Sequence, residues 1–130
     1  MMKSLLTILT LVFSVMFSST SFAEWTEVSK NERGDTQYVD FERVRKVDGH
    51  VYYWLLNDFL KPITDMKLLS SKTYRQVDCK SFGFKNLSYV YHKESMGRDN
   101  GESAESVNKD WRYPQPNTVD EFLVKLVCSR

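Results

Sequence analysis

Alternation of apolar and polar positions governs the chain from Trp25 to His92 and predicts strands. "EWTEVS" sets Trp25 and Val28 among polar residues, "DTQYVDF" follows a Gly34-Asp35 turn signal, and "VDG" at positions 47–49 is a second hairpin-type turn. In "HVYYWLLNDFL" both alternating sets are apolar, with Val51, Tyr53 and Leu55 on one and Tyr52, Trp54 and Leu56 on the other. A strand apolar on both faces is a central strand covered on both sides. Pro62, which cannot donate to a ladder, is expected to end it. "SSKTYRQVDCK" reads as the next strand, Lys80-Ser81 as a turn, and "SFGFKNLSYVYH" as the strand after it. Gly83, between two phenylalanines, marks a bulge or a close backbone approach there.

The pattern then changes twice. Lys93 to Asp110 is the least apolar stretch and carries Gly97 and Gly101, so it is expected to be a long loop or a frayed hairpin tip. In "PNTVDEFLVKLVCSR" the period becomes helical: Thr118 and Glu121 have capping-box spacing, and Val119, Phe122, Leu123, Leu126 and Val127 recur at three and four. The stripe of Phe122, Leu123 and Leu126 is expected to face the sheet. This helix covers one side of the aromatic strand. The other side calls for a strongly curved sheet or a homodimer.

The N-terminal residues bear on compartment. Lys3 precedes a mostly apolar run from Leu5 to Phe17, and Ser21-Phe22-Ala23 follows. That is the order of a secretory signal peptide over residues 1–23, with cleavage expected between Ala23 and Glu24. No integral membrane segment is expected after cleavage. Glu24 stands where a lipid-anchored export needs cysteine, so the product is expected to be periplasmic or secreted without a lipid anchor. About 107 residues remain, enough for one domain over residues 24–130.

Export implies an oxidising space, in which the two cysteines of this chain are expected to pair. A Cys79–Cys128 disulfide would tie the helix to the middle of the chain. It would be worth roughly 4 kcal/mol in the chain-entropy model.

Charge and motif content remove several classes of function. Without Lys3, 17 basic residues face 17 acidic ones, which argues against nucleic-acid binding. His50 and His92 stand in neither an H-x-H nor an H-x-x-x-H arrangement, so no metal site and no cofactor is expected. There is no G-x-S-x-G elbow, P-loop or dinucleotide fingerprint, and the chain does not read as an enzyme.

The ordered set of Trp25, "YVDFERV" at 38–44, Val51 with Trp54, Asp78-Cys79, Gly97, "WRYPQPNT" at 111–118 and Cys128 resembles the surface-adhesin protein E family of small exported Gram-negative proteins. The resemblance implies an α+β fold: a single antiparallel sheet of about six strands, with the C-terminal helix tethered to its concave side by the disulfide. It also implies adhesion to host extracellular-matrix or serum proteins such as vitronectin, laminin and plasminogen, and a dimer. Basic residues are scattered, at Lys67, Lys72, Arg75, Lys80 and Lys85. Candidate partner-binding residues are Lys80 and Lys85 with the neighbouring Tyr89 and Tyr91. Alternatives from other classes are a periplasmic inhibitor or envelope-associated factor acting through the polar segment 93–110, and an apolar-ligand carrier, for which so short a chain has little room.

Overall fold

The computed structural model describes residues 24–130; the expected signal peptide lies outside the described residues. Seven strands form one antiparallel sheet: β1 (Thr26–Lys30), β2 (Thr36–Val39), β3 (Arg45–Val47), β4 (His50–Ile63), β5 (Leu68–Asp78), β6 (Gly83–His92) and β7 (Glu102–Glu105). The order is β1-β2-β4-β5-β6-β7, with β3 on β4 beside the end of β2. The C-terminal helix, Val119–Cys128, packs on one face. The expected fold class holds, as do the turns before β2, β4 and β6. At the turn before β4, Asp48 and Gly49 both take positive φ, as a two-residue hairpin requires.

Register divides the side chains of β4 between two faces. Val51, Tyr53 and Leu55 join Val39, Val77 and Phe84 in a core beneath Leu123, Val124 and Val127 of the helix. This is the helix face. Tyr52, Trp54 and Leu56 point to the other, open face, level with Gln76, Tyr74 and Lys72 of β5. Part of the second cover comes from the chain itself. Segment 94–101 folds over the Leu56 end, where the Met96 amide donates to Asp58 Oδ1 (2.8 Å), the Gly97 amide to Ser70 Oγ (2.9 Å) and Ser70 Oγ to the Glu94 carbonyl (2.7 Å).

Three expectations are corrected. Pro62 does not end β4, which continues to Ile63. Pairing with β5 lapses between Asp58 and Ile63, and Pro62 lies in that interval, where no ladder bond is asked of its nitrogen. Segment 93–110 is not one long loop or a frayed tip: Ser95–Gly97 forms a 3₁₀ turn and Glu102–Glu105 pairs with β6 as an edge strand. Third, the helix is rotated from the expected stripe. Leu123, Val124 and Val127 are buried, whereas Phe122 is 45% exposed.

The rotation follows from anchors at both ends of the helix. Asp120 is ion-paired with Arg75 of β5 (2.9 Å), and Cys128 is bonded to Cys79 just beyond β5, with Cα atoms 5.7 Å apart. Eight helical residues rise about 12 Å and four strand residues about 13 Å. Both ends of the helix are therefore held by groups on or just beyond β5, through Asp120 and Cys128, while its backbone comes close to β4. The Thr118 cap is as expected: the Glu121 amide donates to Thr118 Oγ1 (3.2 Å), and Glu121 Oε1 accepts from the Asn117 amide (3.3 Å).

Gly83 is a point of close approach. A β-carbon there would come within 2.9 Å of the Tyr113 ring. Beside it Phe84 and Arg112 exchange backbone hydrogen bonds of 2.8 and 2.9 Å, which continues the edge of β6 beyond β7. Gly83→Val is expected to displace residues 111–113, seen as loss of amide-exchange protection at Arg112, while the helix stays docked.

Candidate groove on the open face

The open face is closed at two ends and open between them. At one end His50 and Lys85 meet Trp111: the ring centroids of His50 and Trp111 are 5.5 Å apart, and the Lys85 ammonium lies 4.4 Å from the Trp111 centroid. At the other end lies segment 94–101. Between them run half-buried aromatics, with Tyr74 stacked 6.1 Å from Tyr52 and tilted against Trp54 at 4.8 Å.

Next to Trp54 the pairing register lines up Tyr38, Leu56, Lys72, Val90 and Ser103 in one row across five strands. A groove of about 280 Å³ follows this row, with Lys72, Val90 and Ser103 along it and Trp54 beside it. Its walls are Trp25, Asp40, Arg43 and Asn100. Trp25 precedes Thr26, which pairs with Val39, and Asp40 follows Val39, so the β1–β2 register carries both to the same place. Arg43 comes from the 3₁₀ turn Phe41–Arg43.

The polar groups of the groove are only partly matched. Asp40 is buried. Its Oδ2 lies 3.4 Å from Arg43 Nε, and its Oδ1 has no hydrogen-bond partner. The Lys72 ammonium donates to the Gly97 carbonyl at 3.3 Å. Desolvation and the nearby Arg43 push the Lys72 pKa below its ordinary value, with Asp99 acting in the opposite direction. A cation with donors to spare thus faces the groove beside a second cation.

Asp99 holds the segment that flanks the groove. Its carboxylate accepts from the Lys93 and Glu94 amides, each at 3.3 Å, and lies 3.0 Å from His92 Nδ1. Desolvation pushes its pKa up, but the amide and imidazole hydrogen bonds outweigh that and hold it below the ordinary carboxylate value. A depressed folded pKa stabilises fully above the unfolded value, and that stabilisation is lost as pH falls through the folded one. The protection factors of the Lys93 and Glu94 amides, referred to the intrinsic exchange rate at each pH, are therefore expected to fall as pH drops below about 4, before the sheet core responds. Equal loosening of core and segment would overturn this assignment.

The structure joins Cys79 to Cys128 as expected. It does not gather Lys80, Lys85, Tyr89 and Tyr91 into one patch. Lys80 lies in the β5–β6 turn, Lys85 is on the open face with Trp111, and Tyr89 and Tyr91 stack at 5.8 Å on the helix face, where they pair with Thr73 and Ser71. The extra residue in β6 opposite Tyr74 and Arg75 causes this division, because it reverses the facing of every side chain beyond it. No local pattern in the sequence marks the groove residues as a site. Trp25 and Trp54 carried the family resemblance, and Lys72 was one scattered lysine among five basic residues. The signal for a groove was the second apolar set of β4, which required the β5 register to become a surface.

On the helix face a second polar cluster is structural. Arg75, 8% exposed, donates from Nε to Asn86 Oδ1 (2.8 Å) and from Nη1 to Asp120 Oδ1 (2.9 Å) and the Tyr53 hydroxyl (3.4 Å). No group of three or more His, Cys, Asp or Glu side chains with metal-binding geometry occurs among the described residues, and no helix among them is long and apolar enough to cross a membrane.

A family model described as surface-adhesin protein E matches residues 25–129. The fold is similar to Haemophilus influenzae protein E. A second crystal form of that protein aligns with a TM-score of 0.59 at 14% identity, covering 85% of this chain and 91% of the other. Its selenomethionine form gives 0.60 at 14% identity, with 85% and 90% covered. Protein E from a non-typeable strain gives 0.57 at 15% identity, with 85% and 79% covered. No curated protein matches this chain in sequence.

Proposed function

This chain belongs to the surface-adhesin protein E family, and from that premise we propose that it is an exported, non-enzymatic binding protein whose contact surface is the groove on the open face. The observation that carries the reading is the half-exposed Tyr52–Tyr74–Trp54 row running into a groove lined by Arg43, which is paired with Asp40, and by Lys72, which keeps donors to spare. Aromatic and arginine side chains of this kind dominate protein-binding surfaces. The partner class is a host extracellular-matrix or serum protein, with vitronectin, laminin and plasminogen as the first to test. Lys80, Lys85, Tyr89 and Tyr91 are separate candidate contacts, and Tyr91→Ala asks whether the surface reaches the helix face.

Saturable binding of the exported protein to immobilised vitronectin or laminin at physiological salt is the expected result. Trp54→Ala should weaken it by about tenfold or more, the effect of removing one central aromatic anchor, with the melting temperature little changed. Absence of binding to all three partners, or binding indifferent to Trp54, would end this reading. The periplasmic-inhibitor alternative relies on a free loop at 93–110. The hydrogen bonds of 94–101 and the pairing of 102–105 favour the groove instead.

Export itself is open to a direct measurement. The purified product is expected to begin at Glu24, to leave the cytoplasm and to carry no lipid. An N-terminal mass that retains residues 1–23 would contradict it.

A further inference from the structure

We propose that the groove takes one carboxylate-bearing sugar ring of an acidic glycan. The inference rests on the reading of the groove as the contact surface and names the chemistry that the groove recognises.

Four features converge on such a ligand. The first is charge. Arg43 and Lys72 reach the groove from different elements, and Asp40 answers Arg43 with one oxygen only, so the groove has a surplus cation that suits an anion. The second is shape. Trp25 and Trp54 offer flat, apolar rings with electron-rich faces. The polarised C–H face of a pyranose covers such a ring, whereas the thin chain of a glutamate covers little of it.

The third feature is an acceptor without a donor. Asp40 Oδ1 is buried at the groove and has no partner. A carboxylate or phosphate ligand offers acceptors alone, so an ion by itself would leave this oxygen unanswered and add repulsion. Oδ1 is closed to solvent as the side chain stands, so a sugar hydroxyl donates to it only when Asp40 turns toward the groove, while other hydroxyls exchange hydrogen bonds with Asn100 and Ser103. The fourth is size. At about 280 Å³ the cavity sits at the lower end of the range for small-molecule sites. It has room for a single ring. Anion, apolar face and hydroxyl donors must therefore occur together on one ring, and sugar acids combine them. Uronic acids and sialic acids share this chemistry from different glycans.

The test titrates the exported protein with a glucuronic-acid-containing tetrasaccharide and with sialyllactose, following the indole N–H signals by NMR. Controls are the carboxyl-reduced tetrasaccharide, lactose and a glutamate-rich peptide. Saturable binding of at least one acidic sugar is expected, moving the Trp25 and Trp54 signals and leaving Trp111 in place. The neutral counterpart and the variant Lys72→Met should each bind roughly tenfold more weakly, the loss of one charge-assisted contact. Lys72→Arg should retain most of the affinity. Whichever acidic sugar binds identifies the source of the ring.

Equal binding of acidic and neutral sugars, preferential binding of the peptide, a response at Trp111 alone, or no binding of either acidic sugar would overturn the proposal. The two readings separate with a matrix protein stripped of its glycans. If it still binds and Trp54→Ala still abolishes that binding, the contact surface stands and the sugar does not. If binding disappears with the glycans, both stand.

Discussion

A Cys128→Ser chain is expected to unfold at markedly lower urea than the parent, with a loss of about 2–5 kcal/mol. The bond joins residues 49 apart in sequence, and the chain-entropy model assigns such a loop roughly 4 kcal/mol. The helix it holds has ten residues. Helices shorter than about 12–15 residues are marginal in isolation, so this one depends on its buried face and its anchors. With the C-terminal anchor gone, Leu123, Val124 and Val127 lift more readily from Val51, Tyr53 and Leu55, and the core opens. Exchange protection should fall first along 119–128. A domain of this size has about 5–15 kcal/mol in total, so the loss is a large fraction. An unchanged urea midpoint would show that the helix stays docked without its tether.

Much of this arrangement could be read along the chain, and the exceptions share a cause. Thr118 and Glu121 announce the helix start because capping is local, and two cysteines in an exported chain have each other as partners. The buried face of the helix was less legible. Phe122 is the largest apolar residue in the stretch and draws any periodicity toward itself, yet anchors at Asp120 and Cys128 decide the rotation. One of those anchors is a charge whose partner lies 45 residues away. The edge strand Glu102–Glu105 shows no apolar alternation at all. It pairs through its backbone, and the turn before it is positioned by backbone amides collected by Asp99.

The groove was illegible for the same reason. Trp25, Asp40 and Arg43 precede β4, Trp54 lies in it and Lys72 in the next strand; only pairing register brings them together. A single extra residue in β6 then sends Lys85 to one face and Tyr89 to the other, which no alternation within one strand discloses. Local signals fix elements, whereas a binding surface on a sheet is a property of several registers at once. The chemistry of this face therefore emerges from pairing rather than from any one segment.

Arg75→Ala should cost about 3–5 kcal/mol, comparable with loss of the disulfide. Burial disfavours the Arg75 charge, but Tyr53 and Asp120 more than offset this, so the guanidinium stays ionised. It also lies 4.6 Å from the centroid of the Phe84 ring. Truncation leaves Asn86 and the Tyr53 hydroxyl without their donor inside the core and opens a cavity beneath the helix. Asp120→Ala removes a carboxylate that is 43% exposed, so solvent replaces part of what is lost and about 1–2 kcal/mol is expected. Arg75 and Cys79 hold the two ends of one helix, so their losses should not add. Once Cys128→Ser has loosened the helix, Arg75→Ala has less docking left to remove, and the double variant should fall short of the sum by 1 kcal/mol or more, on the order seen for coupled sites. Urea unfolding of the four proteins measures this coupling. Strict additivity would mean that Arg75 stabilises the sheet alone and that the helix is held from its C-terminal end only.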